Sequence, residues 1–335
     1  MAPWLENLIV IVSLACAFGL LRLGSKNERW QRAWKFFKRD RIGIVAGIGI
    51  AIYLLVGTLD LLEISPSKSI LDWVLGDAIG LRDEPTKSSY SAPFAKTTFD
   101  ISNPAPLQLP GRHPMGTTQL GKDTFVQAIK GSSTALVLGG LTSLIYLPLS
   151  IFLGIAAGYF RGWVDDAVQY LYSTIASIPD ILLLISMLMV MQKGLGTMSL
   201  ALATTGWVGL CRLLRGETMR LNERQFVAAA RSLGQSHFNI IARHLLPNVM
   251  HLVLINFVLG FSAIVLAESI LSYLGVGTPI GTASWGQMID GARGELGREP
   301  LVWWDVTAAS VALFGLVLSL NLFADSLRRA FDARR

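Results

Sequence analysis

The amino-acid sequence predicts an all-α protein that crosses a membrane several times. Of its 335 residues, 52% are hydrophobic and only 16% are charged, and the mean hydropathy is +0.50. Soluble proteins carry about 25% charged residues. The apolar residues fall in runs long enough to span a bilayer, and 19 of the 29 Lys and Arg residues lie in segments that we place on the cytoplasmic side. This asymmetry indicates membrane topology and argues against a nucleic-acid partner.

The first apolar run, at residues 7–21, predicts an extra N-terminal membrane helix within residues 1–25, with its N-terminus outside. A signal peptide is one alternative, but no cation precedes the run and no small-x-small cleavage site follows it. A helix lying on the membrane surface is the other. Residues 26–41 then mix Trp and Phe with Lys and Arg, which is typical of a cytoplasmic segment in contact with lipid headgroups.

The remaining chain divides into a loop and a core. Residues 42–62 predict the first core span, running outward, and residues 63–131, rich in Pro, Ser and Thr, predict an extended external loop with one short helix near residues 70–75. Residues 132–335 are predicted to hold the other five core spans, which we place at about 132–159, 164–191, 196–214, 247–274 and from 305 onward.

A charged segment at residues 215–247 separates the fourth and fifth core spans and predicts a compact cytoplasmic elbow. Phe226, Ala230 and Leu233 recur at a helical spacing, so they predict one narrow apolar stripe on a first helix. Three consecutive alanines at 228–230 leave this helix slim enough for close approach by a partner.

The bend of this elbow follows from three residues. Gly234 accepts the left-handed conformation that closes a helix, and Ser236 is predicted to cap a second helix. Pro247 is predicted in the first turn of the next span, where proline is tolerated. An ordinary amphipathic helix at the membrane interface is the alternative.

The spacing from Ala229 and Ala230 through Gly234 to His244, Leu246 and Pro247 resembles the EAA loop of bacterial ABC importer permeases. Ala228 stands where the family has Glu, and His244 stands where it has Ile; similar departures occur in the peptide and nickel branch. The resemblance extends over residues 26–335 through HPMGTTQLGKD at 113–123, GYFRGWVDD at 158–166, TASWGQMIDGARGEL at 282–296 and NLFADSLRRAFDARR at 321–335.

This resemblance implies a six-helix type I ABC importer core in the bacterial inner membrane, with the extra N-terminal helix added to it. The chain would be a permease subunit for peptides or a similar small solute, with no catalytic residue or cofactor of its own. Its implied partners are a second homologous permease, two cytoplasmic ATPases that bind ATP and Mg, a periplasmic solute-binding protein, and membrane lipid. Peptide, nickel, opine and antimicrobial peptide all remain open as the solute.

In the family, the EAA loop carries the coupling helix that docks on the ATPase. The positions that the resemblance assigns to this role are Phe226, Ala228, Ala229, Ala230, Arg231, Gly234, His244, Leu246 and Pro247.

Four further residues are candidates for the translocation pathway. Pro179 and Asp180 lie inside the third core span, and a rise of about 1.5 Å per residue places Asp180 past the midplane toward the outside. An ionised carboxylate facing lipid costs on the order of 2–3 kcal/mol, so Asp180 is expected to face protein or a wet cavity, equally as a structural tie or as a solute contact. Glu268 is expected to be an interfacial group near the outer boundary. Trp285 lies in an outer segment that partly re-enters the membrane in related permeases.

Two other classes of function compete with the permease. An ion-coupled secondary transporter would use Asp180 and Glu268 as coupling carboxylates, but the sequence shows no inverted repeat. An intramembrane enzyme would need a nucleophile paired with a base inside the spans, and none is found. His237, His244 and His251 recur every seven residues, but Pro247 interrupts the helix that a metal-binding face would need, so no metal site is predicted.

Overall fold

The computed structural model describes residues 36–65, 68–78, 81, 90–95, 97–100, 103–108, 113–279, 281–297 and 301–332. Within these residues, five helices are long and apolar enough to cross a membrane, and a bent pair of helices supplies a sixth crossing if it is counted as one span. The helix predicted within residues 1–25, and most of the basic segment at residues 26–41, lie outside the described residues.

The described elements comprise helices and two small hairpins. In chain order they are α1 (Arg41–Leu61), β1 (Glu63–Ser65), β2 (Lys68–Ser69), α2 (Ile70–Trp73), β3 (Thr97–Asp100), β4 (Asn103–Gln108), α3 (Thr124–Phe160), α4 (Gly162–Ala176), α5 (Asp180–Val190), α6 (Leu195–Asn222), α7 (Gln225–Ser232), α8 (His237–Ile240), α9 (Leu246–Tyr273), α10 (Trp285–Arg293) and α11 (Trp304–Asp332). Short π-helical turns follow α2 at Val74–Ala78 and α8 at Ile241–Leu245.

The span predicted at residues 42–62 corresponds to α1, but α3 begins at Thr124 rather than at residue 132. The predicted span excluded these first turns, which carry Lys130. In the structure, Lys130 Nζ lies 2.6 Å from Asp72 Oδ1, so the cation is paired inside the fold. Burial raises the pKa of Asp72, but the hydrogen bond and charge of Lys130 and hydrogen bonds from Ser69 outweigh burial and leave that pKa below its usual range.

The external loop contains the short helix that was predicted near residues 70–75. Ser69 caps α2 in a capping box, because its hydroxyl accepts from Asp72 N–H while the Asp72 carboxylate accepts from Ser69 N–H. Two antiparallel hairpins, β1–β2 and β3–β4, were not predicted. Their strands are at most six residues long, and β4 carries two prolines, so they lack the alternating pattern that identifies a strand.

The chain forms two compact units, of which the first comprises Met1–Val137 and Val265–Ser326. In this unit α1 lies along α11. The Tyr53 hydroxyl donates to the Ala312 carbonyl at 2.7 Å, and the Ser326 hydroxyl donates to Asp40 Oδ2 at 2.7 Å. Asp40 also caps α1 by accepting from Ile42 N–H. These polar contacts join the two helices at both a central and a terminal position.

The second unit comprises Leu138–Ile264 and Leu327–Arg335. Here α3 packs closely on α6 through Gly154 and Gly158, since a Cβ at these positions would lie 2.8 Å from Cys211 O and 2.6 Å from Arg215 O. Small residues four apart permit such close approach between membrane helices. Arg215 in turn binds Asp165 of α4, with Nη2 2.7 Å from Oδ2. The helices α3, α4 and α6 therefore form one packed group.

Candidate functional site: the cytoplasmic elbow

The elbow bends where it was predicted to bend. Gly234 adopts φ +71° immediately after α7, Gln235 N–H donates to Ala230 O at 3.1 Å, and Gly234 N–H donates to Arg231 O at 2.9 Å. This pair of bonds is the Schellman motif, which fixes the angle at which the chain leaves a helix. Ser236 then caps α8 by accepting from Asn239 N–H. The predictions that Gly234 closes the first helix and that Ser236 caps the start of the second are confirmed.

The residues of the predicted apolar stripe differ in burial. Val227 and Ala230 are the buried side chains of α7, whereas Phe226 and Leu233 are exposed. Val227 and Ala230 are three residues apart, so they lie on one face of the helix, and Val227 takes the place on that face that was expected for Phe226. Leu233 is the residue that caps the eight-residue helix, so it no longer continues the buried face.

Beneath α7, a small apolar core holds the two halves of the elbow together. It consists of Val227 and Ala230 from α7, Ile240 and Leu245 from α8 and the following turn, and Tyr159 from the end of α3. Three of these side chains, those of Val227, Ile240 and Leu245, are completely buried. This shared core packs the two short helices against each other.

The outer surface of the elbow is apolar although it is exposed. Leu233 and Phe238 are 79% and 80% exposed, and the exposed Ala228 and Ala229 lie beside the partly exposed Phe226. Exposed apolar side chains of this size mark a contact surface, either for another protein or for the membrane interface. We refer to Phe226, Ala228, Ala229, Leu233 and Phe238 as the outer face.

The remaining predicted coupling positions lie at the base of the elbow. His244 Nε2 is 3.1 Å from Gln235 Oε1, and its ring lies 6.3 Å from that of Phe226. Leu246 is half-buried and Pro247 is exposed. As predicted, Pro247 lies in the first turn of α9, which continues without a break from α8 through the π-helical turn Ile241–Leu245. Proline has no backbone N–H, and a local π-helical turn satisfies carbonyl groups that proline leaves without a donor.

The third predicted span is broken at Pro179. Helices α4 and α5 meet at 81°, so the depth of Asp180 does not follow from a count of residues along one straight axis. Asp180 is exposed in the first turn of α5. The Ile175 carbonyl, which would lose its helical partner to Pro179, accepts from Ile178 N–H at 3.2 Å instead. This carbonyl is thus satisfied by the local backbone.

The other two pathway candidates are interior residues of the first unit. Glu268 is only 4% exposed, so its carboxylate is not the interfacial group that was expected. Its Oε1 accepts from the hydroxyls of Ser272 at 2.7 Å and Ser284 at 2.6 Å. Trp285 is 1% exposed and donates from Nε1 to Ala128 O at 2.7 Å. Together these contacts anchor the start of α10, and a role in the pathway stays a prediction.

Sequence reasoning noted the GYFRGWVDD motif but assigned no role to Tyr159. The structure places this tyrosine against the elbow, with its hydroxyl 2.8 Å from His237 Nδ1. Asn222, at the end of α6, also reaches it by donating from Nδ2 to Tyr159 O at 3.2 Å. The signal that could have identified it is a polar aromatic residue at the cytoplasmic end of a span, in a motif that matches the family.

Metal binding has no support in the described part of the chain, where no group of three or more His, Cys, Asp or Glu side chains comes together. Cys211 is a free, buried thiol.

Several helices long and apolar enough to cross a membrane, with a bent helical elbow between two of them, define a multi-pass membrane protein. Residues 150–335 match the sequence model of the family described as binding-protein-dependent transport system inner membrane component. The chain belongs to this family. It is accordingly a multi-pass permease subunit of an ABC importer in the bacterial inner membrane, and ATP hydrolysis takes place in separate subunits.

Curated relatives agree with this assignment. The chain is 32% identical to the dipeptide transport system permease protein DppC of Bacillus subtilis over 223 residues, which cover 66% of this chain and 69% of the relative. It is 26% identical to the glutathione transport system permease protein GsiD of Pectobacterium atrosepticum over 318 residues, or 94% of each chain. The oligopeptide permease OppC of Bacillus subtilis is 29% identical over 223 residues, covering 66% of this chain and 72% of the relative.

The family also decides between the competing functions. Binding-protein-dependent systems draw on ATPase and solute-binding components, so the ion-coupled transporter with Asp180 and Glu268 as coupling carboxylates is not supported. Burial of Glu268 among serine hydroxyls agrees with this outcome, because a coupling carboxylate must reach an aqueous path.

Proposed function

We propose that this chain is one of two homologous permease subunits in an importer of peptides, assembled with two cytoplasmic ATPase subunits and a periplasmic solute-binding protein. ATP and Mg are bound by the ATPase subunits, and the outer face of the elbow is the surface on which one of them docks. The observation that carries the proposal is a rigid bend with exposed apolar side chains between two membrane helices.

Rigidity of the elbow supports a role in coupling. The Schellman bond from Gln235 to Ala230 and the buried core under α7 fix α7 against α8, so a force on the outer face is delivered to α6 and α9, which the elbow joins. Interfaces of this kind depend on a few buried apolar anchors, and Leu233 and Phe238 are the most exposed large side chains available on the elbow.

The docking surface is tested by Leu233→Asp. A charge at the centre of an apolar contact should reduce the amount of ATPase that copurifies with the permease by at least about tenfold, which corresponds to roughly 1.4 kcal/mol. Leu233 is exposed and is not part of the buried core, so the permease itself should accumulate normally. Leu120→Asp is the matched control, since Leu120 is an exposed leucine in the external loop. Undiminished copurification in Leu233→Asp would exclude this surface.

Peptides are proposed as the solute because the named relatives transport dipeptides, oligopeptides and glutathione. The test is uptake of radiolabelled di- and tripeptides and of glutathione by cells that express the complete system, with Ni²⁺ as the comparison. We expect uptake of at least one peptide to disappear when the permease is deleted. Loss of Ni²⁺ uptake alone would contradict the proposal.

A further inference from the structure

Tyr159 lies where three elements of the second unit meet. It is in the last turn of α3 and only 4% exposed. Its hydroxyl is 2.8 Å from His237 Nδ1, at the start of α8, and the guanidinium carbon of Arg231, at the end of α7, lies 5.2 Å from the centre of its ring. Its carbonyl accepts from Asn222 Nδ2, at the end of α6. Both halves of the elbow therefore contact the same side chain.

The contacts around Tyr159 reinforce one another. Arg231 Nη2 donates to Asn222 Oδ1 at 2.5 Å, so the cation that covers the ring is also tied to the residue that binds the Tyr159 carbonyl. A tyrosine ring offers apolar area for the core and one polar group, and a buried hydroxyl requires a partner. Here His237 provides that partner from an exposed position.

Tyr159 connects the elbow to α3 through noncovalent contacts, since the elbow does not adjoin α3 in the sequence. The elbow is covalently continuous with α6 and α9, whereas α3 reaches it through side chains. Just beyond Tyr159, Arg161 has φ +54° and binds Glu223 at 2.8 Å, so the end of α3 is held to the same region from a second side. A displacement of the elbow is thus passed on to α3 as well.

We infer that Tyr159 is a positioning residue, which holds the coupling elbow on the end of α3 through its contacts with His237 and Arg231. This inference rests on the proposed function, because it assumes that the elbow receives the motion of an ATPase. It assigns Tyr159 no contact with solute or nucleotide.

The experiment uses the complete importer in proteoliposomes and compares Tyr159→Phe with the native chain. Phenylalanine keeps the buried ring and removes only the hydroxyl, so the assembly should retain its ATPase subunits. The readout is ATP hydrolysis with and without the periplasmic binding protein, used as isolated from the periplasm. We expect stimulation by the binding protein to fall about two- to tenfold, the range that corresponds to the loss of one hydrogen bond.

A second variant and a control separate this contact from general damage. His237→Ala removes the same hydrogen bond from an exposed residue, so it should reproduce the defect, and the double variant should be no worse than either single variant. Tyr170→Phe removes a hydroxyl from an exposed tyrosine of α4 and should leave stimulation unchanged.

A distance measurement distinguishes positioning from stability. Spin labels at Trp163→Cys and Ser232→Cys, both exposed, report the position of α7 relative to the end of α3, in a chain whose Cys16 and Cys211 are replaced by Ala. We expect Tyr159→Phe to broaden the distance distribution without lowering the amount of assembled importer. A merely structural role would lower the amount of assembly and leave the distribution unchanged.

Each result decides the inference. Normal stimulation and a native distance distribution in Tyr159→Phe would overturn it, and so would normal stimulation in His237→Ala, whether or not Tyr159→Phe accumulates. If Leu233→Asp retains its ATPase, the outer face is not the docking surface, and that part of the proposed function fails instead. If Leu233→Asp loses the ATPase while Tyr159→Phe couples normally, only the role of Tyr159 is refuted.

Discussion

At the scale of single residues, the buried and the exposed faces of α7 differ by a single position in the sequence. Val227 and Ala230 are buried, while the adjacent Ala228 and Ala229 are exposed. In a helix of eight residues, either a stripe through Phe226 or one through Val227 satisfies the helical period. The sequence could not choose between them, because the choice depends on packing against Ile240, beyond the bend, and against Tyr159, which is distant in the chain.

Gly234 offers a direct test of the bend. Its φ of +71° is costly for a β-branched residue, although no atom lies within 4 Å of where its Cβ would be. Gly234→Val should therefore cost roughly 1–2 kcal/mol through backbone strain alone and weaken both ATPase copurification and stimulation by the binding protein.

The control for Gly234→Val is Gly216→Val. Gly216 is an exposed residue of α6 with equal space around it and a helical backbone, where valine replaces glycine without strain. Native coupling in Gly234→Val would show that the bend does not depend on the left-handed conformation.

At the scale of elements, hydropathy identified the apolar helices, but it did not identify how they end or bend. Pro179 predicted a kink, yet the 81° angle between α4 and α5 depends on tertiary packing that a single sequence does not display. The first turns of α3 were not predicted, because they carry the charged Lys130 and its partner Asp72 lies 58 residues earlier in the sequence. Tyr159 and His237 are 78 residues apart, so their contact also had no local signal.

Local signals were sufficient where one residue determines the backbone, as at Gly234 and Ser236.

The position of Asp180 leads to a prediction for α5. Its carboxylate lies in the first turn of this helix, where the helix dipole favours a negative charge by about 0.3–1 kcal/mol. Asp180→Asn should keep assembly intact, because this loss is small, and alter uptake if the carboxylate meets solute. Asp180→Leu should impair both assembly and uptake if Asp180 is a structural tie. Quantified copurification and peptide uptake provide the two measurements.

Accessibility of the same position is measured independently. A cysteine at position 180, in a chain without Cys16 and Cys211, should react with a water-soluble thiol reagent because Asp180 is exposed. Leu184→Cys, buried in the same helix, should remain unlabelled. Protection of position 180 in every nucleotide state would rule out a wet environment around the break.

At the scale of the whole molecule, the distribution of charge orients the chain. Cations concentrate at the elbow and the C-terminus, which places both on the cytoplasmic side. The described residues supply six crossings when α4 and α5 count as one span, in agreement with the six-helix core of the family. Six crossings with a cytoplasmic C-terminus bring the start of α1 to the cytoplasmic side as well, next to the basic segment at residues 26–41.

The topology of the N-terminus follows from this orientation. If the apolar run at residues 7–21 crosses the membrane, the chain has seven spans and begins outside; if it does not cross, six spans remain and the chain begins inside. We expect seven, so alkaline phosphatase fused before Trp4 should be active, and the same enzyme fused after Arg335 should be inactive. Green fluorescent protein at the same two positions should give the opposite pattern, since it fluoresces in the cytoplasm. Fluorescence of the N-terminal fusion would contradict the seven-span topology and leave the six-helix core alone.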